Sequence, residues 1–108
     1  MVDTDILQFI KLCVKQRKIL WTHHVNMRLK DRFIARNTLL SSVGSYEIIE
    51  EYAQDKYLPS YLVFAKHNDD VLHIQVAVDR DNENIRIVTA YKPTLYKWEE
   101  GFRKRRSK

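Results

Sequence analysis

The residues best suited to chemistry in this chain begin with His24 and Arg28, one helical turn apart. Positions four apart on a helix project from one face, so an imidazole and a guanidinium there can converge on a single anion. The imidazole titrates near neutrality and can move a proton, while the guanidinium offers paired hydrogen bonds to a phosphate. The competing structural assignment bonds His24 to a backbone carbonyl and pairs Arg28 with Asp31, three residues on. His73 is a second candidate, in mid-strand beside Gln75. It lines either a cleft or the solvated face of an antiparallel sheet. Thr89 and Tyr91 close the next strand beside Pro93 and carry hydroxyls able to donate to a phosphate. His23 must point away from its neighbour His24, and His67 occupies a turn, so neither joins the set.

Other chemistries find no support. No two histidines share an i, i+3 or i, i+4 spacing and the carboxylates cluster in turns, so no metal site is expected. A Gly-rich phosphate loop and a Gly-x-Ser-x-Gly elbow are both missing, which argues against nucleotide hydrolysis and serine-esterase chemistry. No cofactor is implied. Most of the tyrosines and tryptophans read as core or rim aromatics, because a small chain needs their buried area.

The elements that must position these groups follow from periodicity. Ile6, Phe9, Ile10, Cys13 and Val14 recur at helical spacing over Thr4 to about Lys18, with Asp3, Thr4 and Asp5 as N-terminal caps. Thr22 can cap a second helix to about Arg32, on which Val25, Leu29 and Phe33 form one stripe and His24, Arg28 and Arg32 another. A short third helix starts at Asn37 or Thr38, and Gly44 suits its C-terminal stop. Four strand-like runs follow, Tyr46 to Tyr52, Ser60 to Lys66, Val71 to Asp79 and Asn84 to Tyr91. The last three should form an antiparallel meander. With the last turn centred on Asp81 and Asn82, Val78 faces Ile85, Val76 faces Ile87 and Ile74 faces Thr89. Thr94 then caps a final helix on which Leu95, Trp98 and Phe102 share a side. The fold class is α+β: N-terminal helices on a four-stranded antiparallel sheet, with a C-terminal helix.

The 108 residues leave room for one domain. With 44% hydrophobic and 31% charged residues the chain is neither disordered nor collagen-like, and two Gly and two Pro imply regular elements with few special turns. The net charge of +5 is polarised. Lys11, Lys15, Arg17, Lys18, Arg28, Lys30, Arg32 and Arg36 precede the sheet, whereas Glu47, Glu50, Glu51, Asp55, Asp69, Asp70, Asp79, Asp81 and Glu83 crowd the strands and turns. A basic tail, Arg103 to Arg106 with Lys108, reads as solvated and mobile. The lone Cys13 excludes an intramolecular disulfide, fits a reducing compartment and reads as a small core residue. No apolar run reaches the roughly 20 residues of a membrane span. Together with acids near the N-terminus, this leads to the expectation of a cytoplasmic protein with no membrane association.

The order Thr22-His23-His24-x-x-x-Arg28, Arg32, a short helix, Glu47 to Tyr52, Pro59-Ser60-Tyr61-Leu62, Leu72-His73 and Thr89-x-Tyr91-x-Pro93 resembles the bacterial domain of unknown function 4258 family. The resemblance covers about residues 19–106 and leaves an extra N-terminal helix of residues 1–18 as a docking or dimer element. It implies the small fold of RelE-type and barnase-like ribonuclease toxins, and a toxin-type domain acting on RNA beside a cognate antitoxin protein. The catalytic positions it implies are His24, Arg28, His73, Thr89 and Tyr91. His24 and His73 would exchange protons in metal-independent attack of the ribose 2′-hydroxyl on the adjacent phosphate, and Lys30, Arg32, Arg36 and Arg86 would hold the RNA. A non-catalytic RNA- or protein-binding module is the alternative. Many family members read Arg-Gly-Ile where this chain has Arg32-Phe33-Ile34, so a different turn or a longer second helix is expected here.

Overall fold

The computed structural model describes residues 4–53 and 57–107. Of the residues singled out above, Asp3, Asp55 and Lys108 lie outside the described set, as does the side chain of Thr4. The order of elements is α1 (Thr4–Lys15), β1 (Ile19–Leu20), α2 (His23–Asp31), α3 (Arg36–Ser41), a 3₁₀ turn (Val43–Ser45), β2 (Glu47–Tyr52), β3 (Ser60–His67), β4 (Asp70–Asp79) and β5 (Asn84–Tyr91). They make an α+β fold with a five-stranded mixed sheet ordered β1-β5-β4-β3-β2. The expected four strands are present and antiparallel, but β1 adds a fifth, parallel to β5, with Ile19 opposite Ile85 and Leu20 opposite Arg86. Two residues are too few to show an alternating pattern, which is why periodicity passes over it.

One core unites the helices with one face of the sheet. Ile6, Ile10, Cys13 and Val14 of α1 and Val25 and Leu29 of α2 bury against Val63, Leu72, Ile74, Val76, Val78, Ile85 and Ile87. The Thr22 hydroxyl accepts from the Val25 amide at 3.1 Å and starts α2. α3 starts at Arg36 behind Ala35, not at Asn37 or Thr38. Gly44 falls inside the 3₁₀ turn and is not the stop of that helix. Burial pushes the Cys13 thiol up, as befits a core side chain.

A bulge in β5 corrects the expected register. Val78 pairs with Ile85 and Val76 with Ile87, but Ile74 then pairs with Ala90 and Gln75 with Thr89. Val88 is the extra residue, and beyond it the facing of the strand reverses. Ala90 takes the core position, while Thr89 and Tyr91 turn to the face that carries His73 and Gln75.

Scarcity of glycine does not mean scarcity of special turns. Arg17, Phe33, Asn68, Glu83 and Phe102 all take left-handed backbone, with φ between 55 and 60°. Both long helices end through such a residue. In α1, the Arg17 amide donates to Val14 and that of Lys18 to Cys13. In α2, the Phe33 amide donates to Lys30 and that of Ile34 to Leu29, the paired closure usually made with glycine. The second helix therefore stops at Asp31, and Phe33 occupies the glycine position without lengthening it.

The expected C-terminal helix does not form. A single turn closes from Thr94 to Lys97 and Trp98, after which Gly101 (φ 92°) and Phe102 (φ 59°) reverse the chain. The returning strand then pairs in register: the Glu99 amide donates to Lys104, that of Arg106 donates to Lys97, and Trp98 bridges Arg105. This small hairpin lies on the sheet face opposite α1 and α2, with Trp98 buried on His73. The tail is exposed but anchored: Arg103 pairs with Glu47 and Arg105 with Glu50, each at 2.7 Å.

Candidate functional site

α2 presents His24, Arg28 and Arg32 on successive turns of its exposed side, while Val25 and Leu29 hold the helix on the core. Arg28 Nε donates to His24 Nε2 at 2.8 Å. A ring nitrogen that accepts is unprotonated, so the neutral His24 ring carries its hydrogen at Nδ1. The bonds of the competing assignment, His24 to a carbonyl and Arg28 to Asp31, are not the ones formed. Among the described residues, no ion pair involves Arg28, Arg32 or Arg36.

Arg32 connects this stripe to the sheet. Its Nη1 donates to Thr89 Oγ1 at 2.9 Å and to the Ala90 carbonyl at 2.8 Å. β1 covers β5 only at Ile85 and Arg86, so the far end of β5 is an open edge that Arg32 occupies. The bulge at Val88 is what aims Thr89 towards it. Beside Arg32 lies a cleft of about 410 Å³ lined by Tyr91, Lys92, Thr94, Lys97 and Arg105 among others. Four of its side chains are cations. Only Arg105 is ion-paired among the described residues.

His73 is fully buried, with a relative exposure of 0%. Its Nε2 lies 2.7 Å from the Phe102 carbonyl, which can only accept, so Nε2 carries the hydrogen. Nδ1 then accepts from the Tyr91 hydroxyl at 3.3 Å. Trp98 and Tyr91 pack edge-on at 4.3 and 5.3 Å between ring centres. Burial pulls the His73 imidazole below its ordinary value of 6.5, with the Phe102 bond and the Glu50 charge opposing in part. It is a neutral ring built into the packing. Burial likewise pushes the Tyr91 hydroxyl up.

The structure thus brings His24 to Arg28, and Arg32 to Thr89 and the Tyr91 cleft, but not His73 to His24, which lie on opposite faces of the sheet. Among the remaining cations, Lys30 is exposed on α2. Arg36 is bound on two sides, donating to Asn26 Oδ1 at 2.7 and 3.1 Å and lying 4.5 Å over the Trp21 ring. Arg86 belongs to a separate hollow on the opposite face, with Tyr57, Gln75 and Val88. His23 is exposed and His67 ends β3. Sequence reasoning missed Lys92, Lys97 and Arg105 as cleft residues, and the Lys92-Pro93 step after Tyr91 was the available signal. It also missed Glu50, which accepts from Arg105 at 2.7 Å and from the Tyr52 hydroxyl. Burial alone would raise the Glu50 carboxyl, but the bonds from Arg105 and Tyr52 and the Arg105 charge carry it below its ordinary value.

No group of three or more His, Cys, Asp or Glu suited to a metal occurs among the described residues, and no described helix is long and apolar enough to cross a membrane. The molecule is of the class of small α+β domains with a basic cleft at the open edge of a mixed sheet. A family model, the domain of unknown function DUF4258, matches residues 21–92, and the chain belongs to that family. The matched span holds His24, Arg28, His73, Thr89 and Tyr91 and leaves out α1 and everything from Pro93 onward. No curated protein and no solved structure gives a match.

Proposed function

We propose that this domain binds RNA along α2 and cleaves it without a metal, as in toxins of toxin–antitoxin systems, with His24 as the group that takes the proton. The observation that carries this reading is the solvent-facing Arg28 Nε to His24 Nε2 bond at 2.8 Å, on a stripe of arginines free of carboxylate partners among the described residues. The neutral imidazole removes the 2′-hydroxyl proton, the 2′-oxygen bonds to phosphorus, and the 5′-oxygen leaves and takes a proton from water. Arg28 is released from His24 as the ring becomes protonated, so its guanidinium turns to the charge gathering on the phosphorane oxygens. Arg32 lies eight residues beyond His24, about 12 Å along the helix axis. It therefore holds a neighbouring phosphate, with Thr89, Tyr91 and Lys92, and His73 keeps Tyr91 in place. RelE-type and barnase-like toxins are the analogy for this fold and chemistry, and an antitoxin protein is the partner it implies.

A second reading, RNA binding without cleavage, is favoured by the sealing of His73, which leaves one histidine at the site. Incubation with RNA oligomers in EDTA separates the two. Cleavage leaving 2′,3′-cyclic phosphate ends is expected from the wild type, reduced about 10²- to 10⁴-fold in His24→Ala. Binding that falls steeply with salt but without cleavage would establish the second reading. Neither binding nor cleavage on several RNAs would overturn both.

A further inference from the structure

Phe33 is the most exposed large apolar residue described, at 91%, and it holds a left-handed backbone that bulky residues adopt at a cost. The other four left-handed residues each have a local explanation. Arg17 returns its Nη1 to the Val14 carbonyl at 2.9 Å, and Glu83 pairs with Lys18 at 3.6 Å. Asn tolerates this backbone region, and Phe102 is half-buried with its carbonyl bonded to His73. Phe33 has neither packing nor a side-chain bond, at a position where glycine would serve the helix end better. Its surroundings are cationic: Arg28, Lys30 and Arg32 precede it within five residues, with Asp31 the lone acid among them. Arg32 is bonded to Thr89 and Ala90, so the turn that carries the ring is held beside a guanidinium that the RNA reading gives to a phosphate.

We infer that Phe33 is a stacking platform for a nucleobase of single-stranded RNA whose phosphates Arg28 and Arg32 hold. The inference rests on the RNA reading above and adds the part of the substrate that the arginines do not touch. A flat apolar ring open to solvent accepts the face of any base, which makes the contact tolerant of sequence, while the adjacent cation takes the backbone. The aromatic ring and the left-handed turn act together: the closure of α2 at Phe33 projects the ring away from the core.

Fluorescence anisotropy with a labelled 2′-O-methyl oligomer, which cannot be cleaved by 2′-attack, and with an abasic oligomer of equal length tests it on the full chain. Wild type should prefer the base-bearing oligomer. Phe33→Gly should lose between about fivefold and a hundredfold of that affinity, none on the abasic oligomer, and should melt a few degrees higher because the turn is relieved. Phe33→Tyr should retain the preference. Unchanged affinity in Phe33→Gly, with Arg32→Ala weakening both oligomers, would overturn the inference, leave the ring to a protein partner and keep the RNA reading. An equal loss on both oligomers would also overturn stacking. Wild type binding neither oligomer would overturn the inference and the RNA reading together.

Discussion

The two faces of the sheet use the same residue types for opposite ends. On the α2 side, the His24 and Arg28 side chains bond to each other and face water, with no carboxylate partner among the described residues, and Arg32 reaches neutral acceptors. On the other side, His73 is closed beneath Trp98 and bonded at both ring nitrogens, and Arg103 and Arg105 are neutralised by Glu47 and Glu50. Charge count alone is therefore a poor guide to a binding surface. An arginine already matched by a carboxylate has little left for a phosphate, whereas one bonded to neutral groups keeps its full charge. The cleft beside Tyr91 is where the two regimes meet, because Arg32 comes from the open side and Arg105 from the sealed one.

The sharpest way to break this contrast is to exchange the fates of the two histidines. His73→Ala should cost about 3 kcal/mol of stability, since it opens a cavity under Trp98 and strands the Phe102 carbonyl and the Tyr91 hydroxyl. Denaturant melts of His24→Ala should stay within about 0.5 kcal/mol of wild type, as for other exposed positions. A pH series sharpens the same point. The folded His73 ring resists protonation, whereas the unfolded ring protonates near 6.5. The unfolded chain then binds more protons below that value, so the His73 contribution is complete above about pH 6.5 and is lost as pH falls towards its depressed folded value. That slope should vanish in His73→Ala.

A smaller effect is expected where the tail is tied down. Arg105→Ala removes the bonds to Glu50 and the stacking on Trp98 at 4.6 Å. Both partners retain solvent contact, so screening holds the loss to about 1 kcal/mol. Amide exchange should quicken in the hairpin around Trp98 before it does in β4. A loss as large as that of His73→Ala would mean that the ion pair, and not the buried ring, secures this face.

The legible parts of the fold were those with a long enough period. The stripes of α1 and α2 and the alternation of β2 to β5 declared themselves, and Thr22 capped where its type suggested. β1 was too short to announce itself. The Val88 bulge depends on which residues the ladder pairs, so it is invisible in a single strand, and the sequence register sets Thr89 opposite Ile74 where Ala90 stands. Leu95, Trp98 and Phe102 have helical spacing, but Gly101 and left-handed Phe102 turn the chain back, and spacing carries no information about that reversal. The fate of His73 was hidden for the same reason: its cover comes from residues about 25 to 30 positions away. The His24–Arg28 pair was readable because its geometry is local to one helical turn.

The two histidines divide into an exposed ring, proposed to meet RNA, and a buried structural one, and ring ¹⁵N spectra of the full chain read both at once. With 2′-O-methyl RNA added, the His24 signals should move while His73 remains the neutral Nε2-protonated tautomer with unchanged shifts. RNA that moves His73 and leaves His24 untouched would contradict it.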